Sequence, residues 1–416
     1  MSSARGSVVD SRWMSWTARH TPCAAITSRL AGVQVVYAHE VPPDEIHASI
    51  FLAGPTPRDS ETPSWRPAAI ELLAARGFDG VVFVPEPRGG AWARDYEGQI
   101  AWEEAHLHMA DVVVFWLPRD LKRLPGFTTN DEWGAHKASG KVVFGAPPGA
   151  EKVRYQQYYA EKLHVPTADS LDGVIAAALA EIGDGAVRRG GERCVPLHVW
   201  RTGAFQRWYA ALRGAGHRLD GARLEWLCRS GPGRRWLFMW ALRVDVHVPA
   251  EDRNKRSEVV IGRPDVAAVL MVQRAEDVLD SRVVLVREFR SAVRNARGMV
   301  LELPSGSSYD ESLAPLQVAV EEVSEETGLR VDASRLRAVG SRQIAATLLG
   351  HHACVYVVDL SDEEMAWLVA HEGVQRGSSA GERTFVEVRR VRALLGGDEV
   401  DWSTLGMILA GLRAEL

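Results

Sequence analysis

The sequence predicts a two-unit α/β protein: first a doubly wound parallel sheet of the Rossmann or flavodoxin kind, then a mixed α+β unit. Three observations point there. Between residues 46 and 183, short apolar runs alternate with amphipathic helical ones. A stretch rich in glycine and charge, Ile182 to Arg193, then breaks the pattern. Beyond it, Gly298-Met-Val-Leu-Glu-Leu-Pro-Ser-Gly306 precedes a helical run crowded with carboxylates, Glu321-Glu-Val-Ser-Glu-Glu-Thr-Gly-Leu329.

In the first unit, Ile50 to Gly54 reads as a strand breaking into a glycine turn. Trp65 to Arg76 is a helix capped by Gly77, and Gly80 to Val84 the next strand. Gln99 to Met109 is helical, Val112 to Leu117 a buried strand, and Asp131 to Ser139 a further helix. Lys141 to Gly145 and Leu171 to Ile182 supply a last strand and a last helix. Such alternation builds a parallel sheet covered on both faces. Ligands of these sheets bind beyond the carboxyl ends of the strands.

With 416 residues and 46% hydrophobic content, the chain can bury two or three cores. The expected divisions are a poorly ordered tail over 1–45, the first unit over 46–183 and a linker over 184–194. An aromatic-rich segment over 195–250 would pack with the second unit, over 251–416. The net charge of −5, with both signs interspersed, gives no basic patch for nucleic acid. No apolar run nears the roughly 20 residues of a membrane span. Cys23, Cys194, Cys228 and Cys354 lack metal-ligand or redox spacing, so free thiols in a reducing cytoplasm are expected.

The loops of the first unit gather one set of candidate residues. Gly54 and Pro55 end the first strand, where a glycine lets a ligand approach the backbone. Trp102, Glu103 and Glu104 lie on the helix before the buried strand, and Asp111 opens that strand. In Thr128-Thr-Asn-Asp-Glu-Trp-Gly134, Asn130 or Asp131 is the expected N-cap. Glu132 then falls in the first turn, where the helix dipole favours an ionised carboxylate. The alternative is that Glu132 only decorates a helix start.

These residues, over roughly 48–180, resemble the nucleoside 2-deoxyribosyltransferase family. The resemblance lies in Phe51-Leu-Ala-Gly-Pro55, in Asp111 before a buried strand, and in the Thr129 to Gly134 helix start. It implies a doubly wound fold and a double displacement at the anomeric carbon of a nucleoside or nucleotide, with Glu132 as nucleophile. By position Asp111 would handle the proton, and Glu103 would bind the sugar hydroxyls, with Glu104 an equally good choice. Trp102 and Asn130 join Gly54 and Pro55 as substrate-binding residues. The family commonly forms oligomers whose sites borrow residues from a neighbour.

In the second unit, Glu322, Glu325 and Glu326 fall at i, i+3 and i+4 of a helix, on one face. Carboxylates placed so repel, unless a cation sits among them. Oxygen ligands favour Mg²⁺ or Mn²⁺. With Gly298 to Gly306, and with the Arg287 and Arg290 strand tip upstream, this run resembles the Nudix box of ADP-ribose pyrophosphatases over roughly 255–395. The resemblance implies an α+β Nudix fold and metal-dependent hydrolysis of a nucleoside diphosphate derivative. Glu322, Glu325 and Glu326 would be the metal ligands, with Glu325 also catalytic. Glu321 stands where the family has Arg, the spacing from Gly306 is one residue longer, and Glu311 is displaced. Arg287 and Arg290 would hold substrate phosphate, or else neutralise the acidic helix. Glu382 lies where related enzymes place a loop glutamate.

Together the two halves imply an enzyme that cuts a nucleotide derivative at both a glycosidic and a pyrophosphate bond. The rival reading is a nucleotide sensor whose second half binds without hydrolysis, with or without an active first half. Residues 195–245 carry Trp200, Phe205, Trp208, Tyr209, Trp226, Trp236, Phe238 and Trp240, a density expected of a core or an interface.

Overall fold

The computed structural model describes residues 28–30, 32–59, 61–90, 95–231, 233, 236–310, 312–376 and 383–413. The first unit runs β1 (Ser28–Leu30), β2 (Val33–Tyr37), β3 (Glu45–Ile46), β4 (Ser49–Ala53), α1 (Arg66–Ala75) and β5 (Val81–Val84). It continues through α2 (Tyr96–Met109), β6 (Val112–Trp116), α3 (Phe127–His136), β7 (Val142–Gly145), α4 (Arg154–Lys162), β8 (Thr167–Ala168) and α5 (Leu171–Ile182). Its sheet has the order β1-β2-β5-β4-β6-β7-β8, parallel from β2 to β8. Alternate residues feed opposite faces, as strand geometry requires. Ile50, Leu52, Val112 and Val114 pack beneath α1 and α5, while Phe51, Val113 and Phe115 pack beneath α2, α3 and α4. This is the doubly wound arrangement that the sequence predicts.

The chain leaves β4 for β5 on one side, then crosses to β6 and β7 on the other. Such a reversal opens a crevice between the carboxyl ends of β4 and β6. Glycine is required there. A Cβ on Gly54 would lie 2.3 Å from the Trp116 carbonyl and 2.8 Å from the Trp65 ring.

Three sequence expectations change. Residues 33–37 were expected in a loose tail, yet β2 lies within the sheet and pairs with β5. Its short Val-Gln-Val-Val-Tyr run gains stability from that pairing rather than from any signal of its own. The stretch expected to be a linker is fixed: β9 (Arg188–Arg189) pairs with β3, and Arg188 is fully buried. Helix α3 begins at Phe127, after a left-handed Gly126, rather than at Asn130 or Asp131. Glu132 is therefore in its second turn.

Next come α6 (Leu197–Trp200), α7 (Gly203–Gly214) and the antiparallel sheet β10 (Arg218–Ser230), β11 (Trp236–Val248), β12 (Arg253–Gly262). Phe205, Tyr209 and Trp240 form its core, with Trp200 and Trp208 packed alongside. This layer touches both neighbours: Arg223 reaches Glu104 on one side, and Tyr309 hydrogen-bonds Ser230 on the other.

The remaining elements are β13 (Val266–Gln273), β14 (Arg282–Phe289), β15 (Met299–Glu302), β16 (Ser305–Gly306), α8 (Pro315–Thr327), β17 (Arg337–Gln343) and β18 (His352–Asp359). After them follow α9 (Asp362–Ala370), β19 (Gln375–Arg376), β20 (Thr384–Arg390), α10 (Val391–Leu394) and α11 (Trp402–Arg413). They form a mixed sheet of order β17-β18-β13-β14-β20-β19, in which β13 and β18 are parallel. Helices α8 and α9 cover one face, and α10 and α11 the other. Gly328 caps α8 in the left-handed region. Among the described residues no helix is long and apolar enough to cross a membrane, and Cys194, Cys228 and Cys354 are free thiols.

Candidate active site

Arg66 founds the first constellation. It opens α1, is 1% exposed, and turns its guanidinium back beneath the β4 turn. There it donates to the carbonyls of Leu52 (3.0 Å) and Gly54 (2.7 Å) and to Thr56 Oγ1 (3.2 Å). Glu86, after β5, accepts at 2.5 Å. Four acceptors on one buried cation fix the backbone of the crevice. Pro55 is held as well, its carbonyl accepting from Trp65 Nε1 at 3.2 Å.

Two carboxyls face this cation. Glu103, from α2, accepts from Gln99 Nε2 at 2.7 Å, and Gln99 also donates to the Pro85 carbonyl. Burial raises the Glu103 pKa, while the Gln99 bond, Arg66 and His39 pull it back. The Glu132 carboxyl is pushed up to about 8, by burial first and then by repulsion from Glu103, with Arg66 opposing and Asp131 adding. Two repelling acids beside one cation hold a proton between them near neutrality, as carboxyl pairs of divided acid and base roles do. That capacity suits glycosidic chemistry.

Glu132 carries a stability signature. In the unfolded chain it titrates near 4.5 and in the fold near 8. Between those values the folded state holds a proton that the unfolded state has lost, so stability falls as pH rises through the window. Glu132→Gln is expected to remove that slope. The variant should match wild type in melting temperature near pH 4 and exceed it at pH 8.5, by on the order of 1–2 kcal/mol. Equal differences at both pH values would show that the raised pKa is not there.

Other candidates are placed differently. Asp111 sits at the amino end of β6, remote from the carboxyl-end crevice, and is 3% exposed. It accepts from Ser49 N (2.8 Å) and Oγ (3.0 Å), both Nη atoms of Arg188 (2.6 Å each) and Leu197 N (3.1 Å). An acid so saturated is a structural anchor, so the proton role expected of it is corrected. Trp102 is core, stacked on His106 at 4.1 Å with its Nε1 on the Glu40 carbonyl. Asn130 lies two residues from Glu132, hence on the opposite side of α3. Its Oδ1 accepts from Arg119 (2.6 Å) and Gln156 (2.7 Å). Glu104 points to Arg223 and His108 instead of the crevice. Sequence reasoning missed Arg66, Glu86 and Gln99, because burial of a lone polar side chain, at a helix start, in a loop or within a helix, leaves no periodic trace.

The second constellation surrounds α8. Glu326 accepts from Ser305 N at 2.9 Å, and its carboxyl is pushed up to about 8. Burial is the first cause, the Ser305 bond opposes it, and Glu322, Glu288 and Glu302 add repulsion. Gly306 lies flush against α8, since a Cβ there would fall 2.0 Å from Glu322 Oε1. Glu325 is exposed on the same helix. Carboxylate oxygens suit Mg²⁺ or Mn²⁺ in kind. In arrangement, no group of three or more acidic, His or Cys side chains among the described residues is gathered to hold a metal. Arg290 spans Glu288 and Glu302, at 2.9 Å each, and Arg287 pairs with Glu387 over the Phe385 ring. Both arginines expected to take substrate phosphate are thus paired with carboxylates of the sheet strands and not with those of α8. Glu311 and Glu382 lie outside the described residues.

Compared with known families, residues 47–150 match the one described as nucleoside 2-deoxyribosyltransferase like. The matched span contains Gly54, Arg66, Glu103, Asp111 and Glu132, and stops short of α4. No curated protein matches the chain.

Proposed function

We propose that the first unit cleaves or exchanges the base of a (deoxy)nucleoside or its 5′-phosphate, through a glycosyl ester on Glu132. The observation that carries this reading is the Glu132–Glu103 pair beside Arg66, at the strand crossover and inside the family-matched span. Glu132 first yields its proton to Glu103 as substrate binds and then, ionised, attacks C1′ as the bond to the base breaks. The shared proton, held on Glu103, passes to the leaving base. Water or a second base then attacks C1′, releasing the Glu132 carboxylate, and Glu103 recovers a proton from the water or incoming base. Arg66 steadies the charge of the pair and, with Trp65, holds Gly54 and Pro55 against the sugar. Mass spectrometry of products from deoxynucleosides and 5′-nucleotides tests this. Free base formed without metal is the expected product; intact substrate from the whole panel would defeat the reading.

For the second unit the reading is a Nudix-type fold acting on a nucleoside diphosphate derivative such as ADP-ribose. Its support is the raised Glu326 and the close seat of Gly306 against Glu322. Mg²⁺ or Mn²⁺ held by Glu322, Glu325 and Glu326 would supply positive charge to a pyrophosphate. Glu321, and the engagement of Arg290 by Glu288 and Glu302, favour the rival in which this half senses a nucleotide without cutting it. Hydrolysis predicts Mg²⁺-dependent nucleoside monophosphate from ADP-ribose, falling at least about 100-fold in Glu325→Gln. A sensor leaves ADP-ribose whole while its binding raises the melting temperature. We further propose that the functions divide after α6, near residue 200, and again near residue 251, and that both halves act on one class of nucleotide in the cytoplasm.

A further inference from the structure

His39 stands just past the carboxyl end of β2, ahead of the family-matched span. Its φ is +67°, in the left-handed region where glycine is at ease and an L side chain is strained. The residues around it are tied down. Ala38 N donates to the Glu86 carbonyl (3.1 Å), Glu40 N to the Tyr37 carbonyl (3.0 Å) and Tyr37 N to Glu40 Oε2 (3.0 Å). Glu40 also pairs with Arg88 at 2.6 Å, and its carbonyl accepts from Trp102 Nε1 at 3.0 Å. Amid these bonds the His39 ring is exposed and has no hydrogen-bond partner among the described residues. A strained turn persists only where its surroundings over-determine it, and such turns gather at functional sites.

The turn borders the crevice. Trp102, which fastens it, directly precedes Glu103 on α2. His39 is near enough to act on the Glu103 carboxyl, where burial, Gln99 and Arg66 are the larger influences. Tyr96 and Ile100 lie on the same side of α2 as Glu103, at i−7 and i−3, and are 66% and 48% exposed. In the glycosidic reaction Glu103 touches the base that it protonates. A base in that contact has exposed apolar side chains of α2 beside its ring and an unpartnered imidazole near its edge.

We propose that His39 reads the polar edge of the base held in this crevice, while Ile100 and Tyr96 cover its ring. The inference rests on the roles given above to Glu132 and Glu103. Enzymes that handle single bases read them in this way, by hydrogen bonds to an edge and apolar contact with the ring. A neutral imidazole offers one donor and one acceptor, which suits the mixed edge of a purine or pyrimidine. Choice of base would then belong to β2, outside the matched span, and the sugar chemistry to residues inside it.

The test is calorimetric binding to the full chain carrying Glu132→Gln, alone and with His39→Gly or His39→Asn added. The ligands are 2′-deoxyadenosine, 2′-deoxyinosine, 2′-deoxycytidine and thymidine, their 5′-phosphates, and the 2′-deoxyriboside of benzimidazole, whose six-membered ring has no polar edge. Glycine relieves the strain at φ +67° and asparagine tolerates it, so both variants should keep a cooperative melt. His39→Gly is expected to weaken the best-bound natural ligand about fivefold, the loss of one hydrogen bond, and to leave the benzimidazole riboside within about twofold. His39→Asn, which keeps a donor and an acceptor, should recover most of that loss. Equal weakening of every ligand, no weakening of any, or no binding at all would overturn the subsite. Base release by the chain with Glu132 intact, measured alongside, separates the two readings. Release with His39-independent binding defeats the subsite alone, whereas His39-dependent binding without release keeps the subsite and defeats the glycosyl chemistry.

Discussion

Glu132→Gln is expected to abolish release of free base, lowering the single-turnover rate at least about 10³-fold while leaving nucleoside binding intact. The amide keeps the shape of the side chain and cannot form the ester. Its removal also frees Glu103 of the neighbour that repels it, so the variant loses chemistry rather than structure. Glu132→Ala sharpens the test. Azide entering the vacated space should attack C1′ directly and yield a glycosyl azide, a product that water never gives. A rate within tenfold of wild type in Glu132→Gln would remove this residue as nucleophile, and with it the proposed reaction.

Asp111→Asn is expected to cost about 3–5 kcal/mol of stability, the range for breaking a buried ion pair from one side. Asp111 accepts five hydrogen bonds, two of them from an arginine with no exposed surface. The amide leaves Arg188 charged and uncompensated, and it turns one accepting oxygen into a donor. Arg188→Met should cost a similar amount. Asp111→Leu with Arg188→Met should recover much of the loss, because the two singles act on one interaction. Urea unfolding measures all four proteins. The folded fraction of Asp111→Asn should still release base at a near-normal rate per molecule; a proton donor would not allow that.

Much of the fold was legible because its signals are local. The strands at 50–54, 80–84, 112–117 and 141–145 are apolar runs bounded by turns, and each lies where the sequence places it within a residue or two. What escaped depends on partners far along the chain. Val33–Tyr37 reads as too short and isolated until β5 pairs with it. Arg188 sits among glycines and charges, yet its partner lies 77 residues earlier. The carboxylate face of α8 follows from helical spacing, whereas the capture of Arg290 by Glu288 and Glu302 depends on neighbouring strands. In the first unit Glu132 was legible and its surroundings were not. Gly126 starts α3 earlier than the polar Asn-Asp pair implies, and Arg66 belongs to a helix start that carries no mark of function.

The pin between Asp111 and Arg188 also governs where this gene product can be divided. A break at Ile182, where composition changes, would strip the first sheet of the cation and of the Leu197 amide that close its floor. The severed piece would carry a naked anion in its core and should aggregate. A break after α6 keeps both, so excision or transplantation of the sheet has to carry the next 18 residues with it, through Trp200. Shuffling of the two halves in evolution meets the same boundary, which lies in the contacts and not in the glycines.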